Sequence, residues 1–435
     1  MIRPLLTLAI AFALPASAVA QLSPTERSMV EAVDAQQSDA LSLLANLVNR
    51  NSGTMNHDGV REVGALVGKK FDALGFDTEW VEVPGTDRAG HLIARHRGDG
   101  TGKRILLIGH VDTVFEPDSD FQTYTQEGQN AYGPGVGDNK GGVVVMLTAL
   151  RAMRDAGTLD GADIIAVITG DEEDSGSPLE LSRAHLIDAA EESDIALDYE
   201  GLVTLDGRDM GSIARRSFGS YTIRVEARSG HSSGVFSDGL GYGAIYEAAR
   251  IVDDFREKLR YGEERLTYNI GLIAGGEETT IDDDLIRTTA RGKTNIVAPA
   301  AILRGELRAM TRQQIARTQA AMRAIVAENL PGTSATIEFD EAYPPMPPTE
   351  GNAALLSALN VVNRDMGLPE MEALDPSRRG AADISYVAHL IDGINGLGPV
   401  VYGSHSPDER VDIPSVWRQA KRAAILMSRL AATPR

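Results

Sequence analysis

The strongest constraint on this chain is the apolar run Ala162-Asp-Ile-Ile-Ala-Val-Ile168, which passes directly into Thr169-Gly-Asp-Glu-Glu-Asp-Ser-Gly176. A short apolar run closed by a turn reads as a strand buried on both faces, the kind found in parallel sheets. Four consecutive acids leaving such a strand are costly to bury unless they meet bases or metal, and few Lys or Arg lie nearby in sequence. A second run, Arg104-Ile-Leu-Leu-Ile-Gly109, ends in His110-Val-Asp112. Residues two apart in extended chain share a face, so this imidazole and carboxylate can lie side by side. A metal-bound His is commonly held by such a carboxylate. Functional groups of open α/β sheets collect at the carboxyl ends of strands, so the two runs point at one site.

Composition narrows the chemistry. With no cysteine among 435 residues, any metal ligands must be His, Asp or Glu, a donor set that suits zinc or another divalent ion. The 62 acidic and 42 basic residues give a net charge of −20, which repels nucleic acid and anionic lipid and leaves a small molecule as the expected partner. The length allows two or three domains around a large core. Residues 1–20 carry Arg3, the apolar run Leu5 to Leu14 and Ala18-Val-Ala20, the pattern of a secretory signal. A mature chain starting near Gln21, periplasmic or secreted, is expected; a retained N-terminal anchor is the alternative.

In chain order, apolar spacing predicts helix from Ser23 to Asn49 and again from Val60 to Leu74, stopping at Gly75. Strands are expected at Thr78 to Val83 and His91 to Arg95. Asp138 follows the glycine-rich Gly133-Pro-Gly-Val-Gly137 and precedes a helical run, Val143 to Met153. An acid there is also favoured as a cap, so Asp138 has two readings. A helix from Pro178 to Leu186 leads to the strand Ile195-Ala-Leu-Asp-Tyr-Glu200, where Asp198 and Glu200 share a face and either can be a ligand. From Tyr221 to Phe339 the order is β-α-β-β-α-β, the split ferredoxin-like plan, which predicts an inserted domain. The acidic Gly275-to-Gly292 stretch is expected to be an exposed loop, and Pro344 to Pro348 an extended linker. The remainder is α/β, with His405 in a loop after an apolar segment and a final helix from Ser415 to Leu430.

Five separated pieces then carry a likeness: Gly109-His-Val-Asp-Thr113, Gly135-Val-Gly-Asp-Asn-Lys-Gly-Gly142, Thr169-Gly-Asp-Glu-Glu173, Glu200 and Ser404-His-Ser406. In these the chain resembles the two-zinc metallopeptidases of the glutamate carboxypeptidase, acetylornithine deacetylase and succinyl-diaminopimelate desuccinylase type. The resemblance implies an α/β fold: a zinc-exopeptidase-like catalytic domain, a mixed sheet between helices, over residues 21–216 and 347–435. Inserted in it, at 217–346, would be an α+β ferredoxin-like lid and dimerisation domain. Two Zn2+ or other divalent ions per chain are implied, bridged by Asp138, with His110 and Glu200 completing one site and Glu173 and His405 the other. Asp112 would hold His110, Glu172 would be the general base, and the peptide after Asp138 would be cis. In the lid, His231 would reach the partner subunit's site, while Asn295 and Arg308 would grip the substrate carboxylate.

The implied activity is metal-dependent cleavage of an amide bond next to a free carboxylate, on a small peptide or N-acyl amino acid, by a homodimer joined through the lid. Glu rather than Asp at 173 leans toward carboxypeptidase- and deacylase-like members. Arg379-Gly-Ala-Ala-Asp383 departs from the family's Gly-Gly-Thr-Asp, and the Gly275-to-Gly292 loop is long. The competing readings are a non-catalytic binding protein on the same fold and a one-metal deacylase in which Asp138 only caps its helix.

Overall fold

The structure, a computed structural model, describes residues 21–259, 262–282 and 285–435. The secretory-signal reading of residues 1–20 lies outside the described residues. A six-stranded sheet organises the larger body, in the order Asp77–Val81, His91–His96, Ile164–Thr169, Ile105–His110, Ile195–Asp198, Asp392–Asn395. The first two pairings are antiparallel and the last three parallel.

Both apolar runs of the sequence became central strands, and both are buried throughout. Alternate side chains serve opposite faces. Ile105, Leu107, Ile164, Ala166 and Ile168 join one core with the helices Pro24–Ala35, His57–Asp72, Lys140–Asp155, Glu350–Asp365 and Ile413–Ala431. Leu106, Ile108, Ile165 and Val167 join another with Ala184–Glu191 and Ile384–Val387. Each such Ile or Leu contributes about 1.5–3 kcal/mol of burial. Parallel register sets His110 opposite Thr169 and Ile108 opposite Asp198, so these strands deliver their carboxyl ends to one edge.

In sequence between the strands Ile195–Asp198 and Asp392–Asn395, the chain forms a separate four-stranded antiparallel sheet, ordered Thr267–Gly276, Ala300–Arg308, Gly219–Ala227, Thr333–Phe339. Helices Ala244–Lys258 and Arg312–Ala327 cover one face, packing Ile251, Phe255, Met322 and Ile325 on Tyr221, Ile223 and Leu303. The segments entering and leaving this insert pair with each other, Arg215 with Met346 and Phe218 with Tyr343.

Several local expectations need correcting. The helix from Ser23 is two, Pro24–Ala35 and Gln37–Val48, divided at Gln36 so that both segments pack on Lys140–Asp155. The Pro178-to-Leu186 helix divides at Arg183, whose buried side chain turns inward to two carboxylates. The Gly275-to-Gly292 loop contains a hairpin, Glu278–Ile281 with Thr288–Arg291; β-branched Thr and Ile at these positions favour extended pairing. The proline-rich return lies outside regular helix and strand, and it is anchored at Met346, fully buried beside Arg215.

Candidate metal centre

His110 ends its strand with Nε2 3.3 Å from Asp138 Oδ1 and 3.3 Å from Glu200 Oε1. On the other side of Asp138, Oδ2 lies 3.4 Å from His405 Nε2, which is 3.1 Å from Glu173 Oε2. The two triads, His110 with Asp138 and Glu200, and Asp138 with Glu173 and His405, each gather three donor atoms within 4.8 Å. Asp138 belongs to both and presents one oxygen to each.

The sequence explains why Asp138 is free to do this. The following helix begins at Lys140 with Asn139 as its cap and no side-chain capping bond, so Asp138 is not spent as a cap. Its peptide to Asn139 is cis. Backbone N–H groups of Gly135, Gly137 and Asp138 donate to the Glu409 carboxylate at 3.2, 2.9 and 3.1 Å, which shapes the glycine-rich loop. A Cβ on Gly142 would come within 2.0 Å of Tyr199 O, so only glycine lets the helix start this near the strand end that carries Glu200.

Asp112, fully buried, joins the two strand ends. Its Oδ1 lies 3.3 Å from His110 Nδ1, and its carboxylate accepts the backbone N–H groups of Glu172 and Glu173 at 3.1 and 3.0 Å and the Thr54 hydroxyl at 2.7 Å. Glu172 and Glu173 stand in the bend and turn that follow the strand end at Thr169. Glu173 faces His405, while the Glu172 carboxylate receives no hydrogen bond from the described residues. Burial, together with the charges of Glu200, Asp383 and Glu173, pushes the Glu172 carboxyl well above the usual range. Burial and Asp138 push Glu173 up to about 7.

The choice between Asp198 and Glu200 falls to packing. Asp198 accepts a hydrogen bond from Asn395 Nδ2 at 2.6 Å inside the sheet, whereas Glu200 lies past the strand end beside His110. The four acids 171–174 also separate. Asp171 meets Arg183 at 2.6 Å and Asp174 meets Arg88 at 2.8 Å, so only the middle two face the centre. The bases that meet these two acids come from outside the stretch, Arg88 from far off in sequence and Arg183 from the helices that follow.

Three further groups escaped the sequence reading. Arg215 and Arg379 place Nη2 3.7 and 3.8 Å from Glu200 Oε2, and both share the Asn395 side-chain oxygen. Glu409, four residues past His405, is the third. Nothing in sequence marks a buried Arg from an exposed one, although Arg379 stands in the piece that departs from the family pattern.

The insert residues lie apart from these triads. His231 is exposed, with Nδ1 2.8 Å from Ser233 Oγ, and its neighbour Ser232 donates its N–H to Asn295 O at 2.9 Å. Short strands Gly230–His231 and Ile296–Val297 hold His231 and Asn295 adjacent. Arg308 is engaged by Glu306 at 3.1 Å and lies 4.9 Å over the Phe218 ring.

The donor set fits divalent cations. Asp138, Glu173, Glu200 and Glu172 converge with two imidazoles, and so much negative charge in one place is costly until a cation joins it. Oxygen and imidazole donors without thiolate suit zinc and its divalent neighbours.

Comparison with known proteins points the same way. Carboxypeptidase G2 from Pseudomonas sp. (strain RS-16) is 25% identical over 419 residues, spanning 93% of this chain and 92% of its own length. A tripeptidase from Staphylococcus aureus shares the fold with a TM-score of 0.71 at 21% identity, over 91% of this chain and 98% of its own. So does a dinuclear metal-binding M20 peptidase from Bacillus subtilis, with a TM-score of 0.63 at 14% identity, over 92% and 99%. Residues 106–431, both strand ends and both triad histidines included, match the family description Peptidase family M20/M25/M40. Each of these relatives is named as a peptidase and one as dinuclear and metal-binding, and this chain is a metallopeptidase-class hydrolase belonging to Peptidase family M20/M25/M40.

Proposed function

We propose that the chain is an exported exopeptidase or amidohydrolase that cleaves an amide bond next to a free carboxylate, in the manner of a carboxypeptidase, with two zinc or other divalent ions. The observation that carries this reading is Asp138, set between two ligand triads, with the Glu172 carboxyl close by and uncommitted. His110, Asp138 and Glu200 would hold one ion, and Asp138, Glu173 and His405 the other. Bound divalent ions acidify water and polarise a carbonyl.

The chain's own residues supply the rest. Glu172, raised by burial, accepts the proton of the attacking water and passes it to the leaving amine, a role that contributes about 10²–10⁴ in rate. Asp112 keeps His110 in one orientation and fixes the peptide that separates the base from the ligand. Arg308 offers a planar guanidinium to a substrate carboxylate, in exchange for its present partner Glu306. The exposed His231 and its neighbour Asn295 suit contact with substrate across a homodimer formed through the lid, 217–346, set into a catalytic domain of 21–216 and 347–435. The glutamate at 173 supports carboxypeptidase-like over dipeptidase-like use.

The test is hydrolysis of N-acyl amino acids and dipeptides by the purified chain, with metal content measured on the same sample. Chelation should abolish turnover and zinc restore it, and Glu172→Ala should keep two ions per chain while losing at least a hundredfold in kcat. Full activity after complete metal removal would overturn the mechanism.

A further inference from the structure

The general base proposed above is held by its backbone alone. No described residue hydrogen-bonds the Glu172 carboxylate, so its aim depends on the two partners of its main chain. Asp112 accepts its N–H at 3.1 Å, and the Tyr343 hydroxyl donates to its C=O at 2.5 Å.

Tyr343 is not part of the sheet body. It stands on the segment returning from the insert, where it pairs with Phe218 of the outgoing segment. The same returning segment grips the acidic loop a second time. Glu341 accepts the Ser177 hydroxyl at 2.9 Å and the Leu179 N–H at 3.2 Å. From the other side a directional chain reaches Tyr343: Arg183 Nη2 donates to Ser175 Oγ at 2.8 Å, and Ser175 lies 2.6 Å from the Tyr343 hydroxyl. Because Tyr343 gives its own proton to Glu172 O, Ser175 is the donor in that contact. Arg183 is in turn fixed by Asp171 and Asp383. The outgoing segment ends on the centre too, since Arg215 holds the Gly380 and Ala381 carbonyls at 2.9 and 2.6 Å and approaches Glu200.

We propose that Tyr343 is a positioning residue: its hydroxyl fixes the Glu172 peptide and so ties the aim of the base to the orientation of the insert. The inference rests on the reading of Glu172 as the base. A rotation of the insert about its paired root moves Tyr343 and Glu341 together, and the loop from Glu172 to Leu179 follows. Base placement and insert placement are then one event.

The experiment compares wild type, Tyr343→Phe, Glu341→Ala and Glu172→Asp, and the double variant Tyr343→Phe/Glu172→Asp, all loaded with zinc. Tyr343→Phe should lower kcat about tenfold with KM within about twofold, as small misplacement of a catalytic group does. Metal content should stay at the wild-type level, and amide hydrogen exchange should rise across 172–179 but not at His110. In the Glu172→Asp background, where the carboxylate is already misplaced, removing the hydroxyl should cost less than about twofold. An equal fold loss in both backgrounds, or unchanged exchange across 172–179, would overturn the coupling. Should Tyr343→Phe fail to fold, Glu341→Ala gives the same readouts through the second grip, and wild-type exchange there overturns the proposal equally. Undiminished turnover by Glu172→Ala would instead sink the base assignment, an outcome distinguishable because Tyr343→Phe would still loosen the loop.

Discussion

Replacing Arg183 by Met tests how the acidic loop survives burial. Arg183 and Asp171 are fully buried, and the guanidinium meets Asp171 at 2.6 Å, Asp383 at 2.8 Å and the Asp171 carbonyl at 3.0 Å. Methionine keeps much of the volume but leaves two carboxylates without their cation. Breaking a buried pair from one side costs about 3–5 kcal/mol. With an unfolding entropy of ~2.1 cal/mol/K per residue over about 400 residues, ~4 kcal/mol lowers the Tm by about 5 °C. The loss should also depend on pH. In the wild type burial works to raise Asp171, and Arg183, with His91, overrides it and holds the carboxyl below its usual range. In the variant burial keeps its raising influence while Arg183, the largest lowering one, is gone, and only His91, the Ser182 hydroxyl and the Gly176 N–H still oppose it, so the carboxyl rises. A carboxyl raised in the folded state binds more protons there than in the unfolded chain, so stability falls as pH rises. Calorimetry should therefore find a deficit that is larger at pH 8 than at pH 5 and that shrinks when Asp171→Asn is added. A deficit of equal size at both pH values would mean that lost packing, and not stranded charge, sets the cost, and a Tm shift under about 1 °C would refute the argument outright.

Two further outcomes are expected. Asp112→Asn can no longer accept from both strand ends at once and should weaken metal binding by about 10- to 100-fold, as loss of a ligand's orienting carboxylate does; titration of the metal-free chain with zinc checks this. The metal-free protein should also lose stability between about pH 4.5 and pH 8. Burial, with Asp138 adding to it, pushes Glu409 up to about 7, and burial with Asp138 does the same to Glu173. Both contribute stability that is complete below the unfolded-state value and lost as pH rises through about 7. Glu409→Gln should flatten the curve in denaturant melts of chelated protein.

The strands that end in His110 and Thr169 were legible in the chain because doubly buried strands require unbroken apolar runs, and their periodicity is local. The helices were legible for the same reason, although two of them break: one at Gln36, so that both parts pack on Lys140–Asp155, and one at Arg183, whose side chain turns to Asp171 and Asp383. The five short pieces, read together, named the members of the two triads that the fold gathers.

What the residues could not decide alone was pairing across space. Whether Asp198 or Glu200 faced His110, whether Asp138 was a cap or a bridge, and which of four adjacent acids were spent on Arg183 and Arg88 are questions of distance between strand ends. The same holds for Arg215 and Tyr343, which carry no mark in sequence until the root of the insert brings them to Glu200 and Glu172, and for the approach of Arg379 to Glu200. Local chemistry is written along the chain, since backbone preference and apolar spacing act over a few residues. Charge neutralisation is not, because it depends on which groups the fold sets within a few ångströms of one another.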